Sequence, residues 1–206
     1  MNDDLLNKIR RLKSIADTGL LYHTNEYDKA RYRELHEISL QLLSNISGQG
    51  IKELKESFLP AREYPTAKVD VRGLLLSPGK KILLVKESFD NNWSLPGGWA
   101  DIGHSPREII VKEFKEETGL DVIPEVLLAV FDKRMHPHPP QPFYVYKMVF
   151  YCRAASSELV KGFDILDVKY FDLNSLPQLS LDRILKSQIE LLYKKVAESE
   201  YKAYFD

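Results

Sequence analysis

The chain has 206 residues, of which 44 % are hydrophobic and 29 % are charged, and its 29 Lys and Arg residues nearly balance 30 Asp and Glu residues. That balance argues against a polybasic nucleic-acid-binding protein, so we expect no stable nucleic-acid partner. The single cysteine, Cys152, excludes an internal disulfide and a cysteine-ligated metal site. No apolar run approaches the ~20 residues that span a bilayer, and the N-terminus lacks the apolar stretch of a signal peptide. These features predict a cytoplasmic protein without membrane contact.

Residues 1–58 are predicted to be helical, because apolar side chains recur there at helical spacing in three stretches. Gly19 is predicted to end the first helix. Three short helices bury little apolar surface by themselves. We therefore expect this helical module, residues 1–62, to dock on the rest of the chain or on a second copy. The stripes comprise Leu5, Ile9, Leu12 and Ala16, then Leu35, Ile38, Leu42 and Ile46, and finally Ile51, Leu54 and Phe58.

From Thr66 onward the pattern changes to strands, which places a second, α/β domain at residues 66–206. Two apolar runs flank the turn sequence Ser77–Lys80 and predict a hairpin. A stretch with four prolines, 135–142, must be a loop between two further strands. The predicted strands are 69–76, 81–87, 125–134, 143–153 and 168–172, and a closing helix carries Ile184, Leu185, Ile189, Leu192 and Val196.

Strong local signals are concentrated in residues 93–120, WSLPGGWADIGHSPREIIVKEFKEETGL. Ser105 can cap a helix, Pro106 suits its first position, and Glu108 completes a capping box. Gly119 is a natural stop. The sequence therefore predicts a helix over 106–118.

Three carboxylates of that helix, Glu113, Glu116 and Glu117, share one face because they stand at i, i+3 and i+4. Like charges at this spacing repel each other, and a divalent cation would offset the repulsion. Carboxylate oxygens favour a hard ion, Mg²⁺ or alternatively Mn²⁺. Spacing alone fits a solvated acidic face beside Lys112 and Lys115 better than it fits a metal site.

The surrounding residues resemble the Nudix box, whose pattern is Gly, five residues, Glu, seven residues, then Arg-Glu-apolar-any-Glu-Glu-any-Gly-apolar. Here the pattern begins at Gly98 and ends in KEFKEETGL, residues 112–120, with the family spacing. Two positions depart from it: His104 replaces a glutamate and Lys112 replaces an arginine. Lys112 keeps the positive charge but lacks the planar fork that binds a carboxylate at two points.

This resemblance implies a Nudix fold, a mixed sheet between helices, and Mg²⁺-dependent hydrolysis of a nucleoside diphosphate linked to a group X. Products would be a nucleoside monophosphate and X-phosphate, from a substrate such as ADP-ribose, CDP-choline or a UDP-sugar. Carried over residue by residue, it implies metal ligands at Glu113, Glu116 and Glu117, and catalytic roles for Glu116, Glu117 and Lys112. Residues 18–35 and 64–73 resemble a subgroup with a helical N-terminal module, which implies a homodimer.

Further residues near the box are candidates for substrate contact, namely Arg72, Lys86, Gly98 and Arg134. Positive side chains on strands or loops beside a metal helix suit an anionic substrate, although solvated surface residues would look the same. Asp164 and Asp167 are alternative proton acceptors. Two other functions stay open, a nucleotide-binding sensor without hydrolysis and a housecleaning or RNA-processing pyrophosphatase.

Overall fold

The computed structural model describes residues 3–23, 25–58 and 64–206. Two compact units emerge from the packing of the backbone. The helical unit extends to Ala67 and also takes in Pro140–Tyr144 from the proline-rich stretch, while the second unit comprises Lys68–Pro139 and Val145–Asp206. Among the described residues, no helix has the length and apolarity needed to cross a membrane.

The helical unit contains α1 (Asp3–Tyr22), α2 (Glu26–Ser47) and α3 (Ile51–Ser57). Asn25 caps α2 by accepting the backbone N–H of Asp28 at 2.8 Å. The predicted stop at Gly19 is wrong, because α1 continues through it to Tyr22. Gly19 instead admits the ring of Tyr32, which would lie 2.3 Å from a Cβ at that position.

The helical unit has more apolar side chains than its own core buries. The core consists of Leu6, Ile9, Leu40, Leu43 and Leu54. The core shares Ile9 and Leu54 with the predicted stripes and leaves several other stripe residues outside. Docking of those residues on the rest of the chain or on a second copy stays a prediction. The residues left more than a third exposed are Leu5, Leu12, Leu35, Ile38, Leu42 and Ile51.

The second unit confirms the α/β class, with a mixed five-stranded sheet and a smaller antiparallel one. The five-stranded sheet has the order β4-β1-β6-β5-β8, in which β1 pairs parallel to β6, and the three-stranded sheet has the order β3-β2-β7. The strands are β1 (Lys68–Leu75), β2 (Ile82–Glu87), β3 (Trp93–Ser94), β4 (Gly97–Trp99), β5 (Val122–Asp132), β6 (Val145–Ala154), β7 (Ile165–Phe171) and β8 (Tyr204–Phe205), and the helices are α4 (Pro106–Thr118) and α5 (Lys186–Ala197).

The predicted hairpin of β1 and β2 is only partly correct. The turn forms, with Lys80 N–H donating to Ser77 O at 2.8 Å. Beyond it the strands meet at one bridge, Leu76 with Ile82, and then separate into different sheets. Instead, β1 pairs with β6 along its whole length and with β4 on its other edge, so both of its neighbours in the sheet come from later segments of the chain.

Candidate active site

The helix α4 begins and ends where the sequence predicts. Ser105 accepts the backbone N–H of Glu108, the Glu108 carboxylate accepts the N–H of Ser105 at 2.8 Å, and Gly119 ends the helix with φ 74°. Ile109, Ile110 and Phe114 bury one face of α4 in a hydrophobic cluster. The helix is therefore anchored by its apolar face, and its carboxylates extend from the remaining surface.

Glu117 is the buried carboxylate of this helix, with 7 % of its surface exposed. It accepts the backbone N–H of Gly97 at 2.9 Å. Burial raises the pKa of Glu117 to about 8, although the charge of Arg72 and the Gly97 N–H act in the opposite direction. The carboxylates of Glu87 and Glu113 add to the rise.

Glu113 lies against Gly98 of β4. A Cβ at Gly98 would come within 2.6 Å of a Glu113 carboxylate oxygen, so the absence of a side chain there makes room for the carboxylate. Burial raises the pKa of Glu113, Arg72 lowers it, and Glu116 raises it further. Substrate binding by Gly98 stays a prediction, and the structure shows that Gly98 accommodates Glu113.

Arg72 is buried between the sheet and the segment that precedes the box glycines. Its Nε lies 3.0 Å from Asp70, and its Nη1 donates to Leu95 O at 3.1 Å and to Ser94 Oγ at 3.3 Å. Nη1 is also 3.7 Å from Glu87. The guanidinium of Arg72 therefore has its partners inside the protein, and these contacts support a role in positioning the neighbouring side chains and the main chain at Leu95. The predicted contact of Arg72 with a substrate phosphate stays a prediction.

The buried ionic residues around Arg72 were not predicted from the sequence. The Lys147 ammonium, 1 % exposed, is bonded to Asp70, and burial lowers the pKa of Lys147 to about 8. Arg183 Nε lies 2.8 Å from Glu87. The available signal was the pair Asp70 and Arg72 at i, i+2 in an otherwise apolar strand, since alternation puts both on one face.

The other predicted site residues lie at the surface. Glu116 is exposed, and Lys112 pairs with Asp101 at 2.9 Å. Arg134 pairs with Asp132 at 3.1 Å beside an open groove of about 390 Å³. Lys86 is half-buried on β2, opposite Asp167 of β7.

Three predicted residues have partners outside the carboxylate cluster. We find no contact of Lys86 with Glu113 or Glu117 in the part of the chain that the structure describes. Asp167 is bonded to Lys169. His104 is exposed in the turn before α4, where its N–H faces Asp101 O at 3.4 Å.

The donor set fits a hard divalent cation, although a closed cage is absent. Within residues 3–23, 25–58 and 64–206, no three His, Cys, Asp or Glu side chains converge on a point that could hold an ion. Mg²⁺ takes one or two carboxylates and completes its shell with waters and substrate phosphates. Glu113, seated against Gly98, and buried Glu117 are two carboxylates that suit such an open site.

The raised pKa of Glu117 predicts a pH-dependent stability in metal-free protein. Its ordinary pKa is 4.5 and its folded pKa is about 8, so the stability it contributes is complete below about pH 4.5 and is lost as pH rises through 8. Glu117→Gln keeps an acceptor for Gly97 and removes the charge. At pH 9 with EDTA it should increase the free energy of unfolding by roughly 2–5 kcal/mol relative to wild type, and at pH 4.5 by far less.

Urea denaturation at both pH values measures this difference, and Glu190→Gln on exposed α5 is the matched control. Equal pH dependence in wild type and Glu117→Gln would contradict the buried, proton-binding state of Glu117.

Comparison with known proteins places the chain in a family. Residues 66–192 match the model described as the NUDIX domain. Residues 3–58 match a model described as the UDP-X-like, N-terminal oligomerisation domain. A Bacillus subtilis protein provisionally named an ADP-ribose pyrophosphatase is 38 % identical over 201 residues, covering 98 % of this chain and 96 % of that protein.

Solved structures give the same result. A structure described as a UDP-X diphosphatase is 35 % identical, with both chains fully covered and a TM-score of 0.64. An ADP-ribose pyrophosphatase from Streptococcus suis is 35 % identical, with 68 % of this chain and 100 % of that chain covered and a TM-score of 0.62. The chain therefore belongs to the Nudix family and is a Nudix hydrolase.

Proposed function

We propose that this protein hydrolyses a nucleoside diphosphate linked to a group X, with Mg²⁺ or Mn²⁺, to a nucleoside monophosphate and X-phosphate. The names of its relatives, ADP-ribose pyrophosphatase and UDP-X diphosphatase, support this substrate class. ADP-ribose is the first substrate to test, and UDP-sugars and CDP-choline are the others.

One observation carries the proposal: the Glu117 carboxylate is buried against the Gly97 N–H beside Arg72, and Glu113 lies over the adjacent Gly98. Buried carboxylates with raised pKa values mark a candidate functional site, because burial and like charges are arranged at active sites to shift pKa values. They lie on a helix held by its cap and its apolar face, so contacts within the protein position them.

Each carboxylate has a distinct part in this proposal. Glu113 and Glu117 would hold the cation from the buried side. Exposed Glu116 would join them when the cation binds, since among the described residues the three carboxylates do not converge on one point in the metal-free structure. The bound ion supplies positive charge that neutralises the pyrophosphate. Glu116 is also the carboxylate with free access to water, which makes it our candidate for accepting the proton of the attacking water. Lys112, fixed by Asp101, contributes positive charge on the same face.

Hydrolysis should depend on the helix carboxylates. We expect purified full-length protein to cleave at least one member of a panel of ADP-ribose, UDP-sugars and CDP-choline with Mg²⁺. Glu116→Gln and Glu117→Gln should each lower kcat by about 100-fold or more, because each removes a ligand. Chromatography of the products identifies the bond that breaks.

The matched control is Glu190→Gln, which makes the same change at an exposed position of α5. A rate near that of wild type in Glu116→Gln or Glu117→Gln would contradict the proposed role of that residue as a metal ligand. Tight binding of a panel member by wild type without any product would favour the sensor alternative.

His104 should be dispensable. It stands in the exposed turn beside Asp101, and its imidazole is a poor ligand for Mg²⁺. We expect His104→Ala to lower kcat by less than about tenfold at saturating Mg²⁺, and His104→Glu to retain or raise it. A loss of several orders of magnitude in His104→Ala across pH 6–9, with circular dichroism unchanged, would show that the histidine is the general base.

We also propose that the helical unit forms a homodimer through its exposed apolar residues. The family model for residues 3–58 is described as an oligomerisation domain. Leu12, Leu35, Ile38 and Leu42 of this unit are between 36 % and 44 % exposed, so a partner could bury them. Light scattering should give wild type a mass of twice 23.8 kDa. Leu12→Glu with Leu42→Glu should halve the mass, and the control Ile102→Glu should not. A monomeric wild type would refute the proposal.

A further inference from the structure

The loop between β6 and β7, residues 155–164, is bonded to the C-terminal end of α4. Val160 N–H donates to Thr118 O at 2.9 Å, and Gly162 N–H donates to Glu117 O at 3.1 Å. Carbonyls at the end of a helix have no partner within the helix. The loop supplies partners for two successive ones and thereby fixes the last turn of α4.

Gly162 makes this approach sterically feasible. A Cβ at Gly162 would lie 2.1 Å from Glu116 O and 3.1 Å from Glu117 Cα. Both are backbone atoms, which cannot move aside as a side-chain tip does. Any larger residue at 162 would therefore displace either the loop or the turn of α4 that carries Glu116 and Glu117.

The loop is itself anchored at both ends, so it can act as a fixed support. At its start, Ala155 N–H donates to Asp121 O at 2.7 Å, and Ser156 Oγ accepts the N–H of Asp121 at 2.9 Å. At its end, Asp164 O accepts the N–H of Ser88 at 3.2 Å, which ties the loop to the segment after β2.

Glu117 is consequently held at two points. Its carboxylate accepts the Gly97 N–H and its main-chain carbonyl accepts the Gly162 N–H. Ile109, Ile110 and Phe114 bury α4 in the core before this turn, and Leu120 enters the same cluster after it. Between these core contacts, the two hydrogen bonds from the loop hold the main chain of the turn itself, so the position of Glu116 and Glu117 relative to β4 depends in part on the loop.

We propose that Gly162 is a positioning residue for the cation-binding carboxylates, acting through the main chain of Glu116 and Glu117. The inference rests on the proposed function. It assigns the 155–164 loop a supporting role at the cation site, although the loop itself provides no metal ligand. Substitution of a residue that holds a metal ligand in place typically lowers metal affinity by roughly 10- to 100-fold. Gly162→Ala should weaken binding by an amount in that range.

Binding of Mn²⁺ to the full-length protein tests this directly, because electron paramagnetic resonance measures free Mn²⁺ without turnover. We expect the Kd for Mn²⁺ to rise about tenfold or more in Gly162→Ala. Gly79→Ala should leave it unchanged, since the nearest atom to a Cβ at Gly79 is 3.8 Å away. Leu192→Ala, in the other hydrophobic cluster, should lower thermal stability without a comparable change in Kd.

A second measurement does not require the variant to fold. In wild type, saturating Mn²⁺ should slow amide hydrogen exchange in the 155–164 loop as well as in α4, because coupling between two sites is reciprocal. A Kd for Mn²⁺ in folded Gly162→Ala equal to that of Gly79→Ala would overturn the inference alone. Unchanged exchange in the loop would also overturn it alone. Failure of wild type both to bind Mn²⁺ and to hydrolyse the panel would overturn the proposed function and this inference with it.

Discussion

A carboxylate buried with too little compensating charge organises this molecule. Glu117 has one backbone donor, Gly97, and one nearby cation, Arg72, which it shares with Asp70 and Glu87. Burying a carboxylate is expensive unless its charge is met, so the elements around it are arranged to meet part of that charge. Arg72 belongs to β1, Gly97 to β4 and Glu87 to β2. Glu117 contacts Gly97 directly, and the charges of Arg72 and Glu87 act on it from the neighbouring strands.

The part of the Glu117 charge that the surroundings do not balance supports the proposed cation site. Burial raises the pKa of both Glu113 and Glu117 in the absence of a cation. A divalent ion would lower both pKa values and recover the energy of the two buried charges. The helix is fixed by its cap and its core contacts, and Arg72 balances only part of the carboxylate charge. This combination is consistent with the proposed site for a metal ion and a pyrophosphate.

The sequence predicts well what depends on neighbours in the chain. Ser105, Pro106, Glu108 and Gly119 define α4 through local capping, and the structure confirms both ends. The spacing from Gly98 to Glu117 likewise identifies the family, because the glycines and the helix are consecutive. Gly98 adds a physical reason for that spacing, since the glycine leaves room for the Glu113 carboxylate.

Contacts between segments that are distant in the chain could not be predicted from local sequence patterns. The bond from Lys147 to Asp70 joins residues 77 positions apart and exists because β1 pairs with β6 rather than β2. Gly162 looks like an ordinary loop glycine until the loop is seen against α4. The apolar stripes of α1 and α2 were visible, but which side forms the core depends on how the helices pack.

The central claim is that the Glu117 carboxyl is protonated below about pH 8 in metal-free protein and loses its proton when a cation binds. A ¹³C NMR titration of that carboxyl measures this most directly. In metal-free protein the carboxyl signal should titrate well above the ordinary 4.5, toward a pKa of about 8. With saturating Mg²⁺ the apparent pKa should fall to the ordinary range or below. A metal-free pKa at or under 4.5 would contradict the account, as would a raised value that Mg²⁺ leaves unchanged.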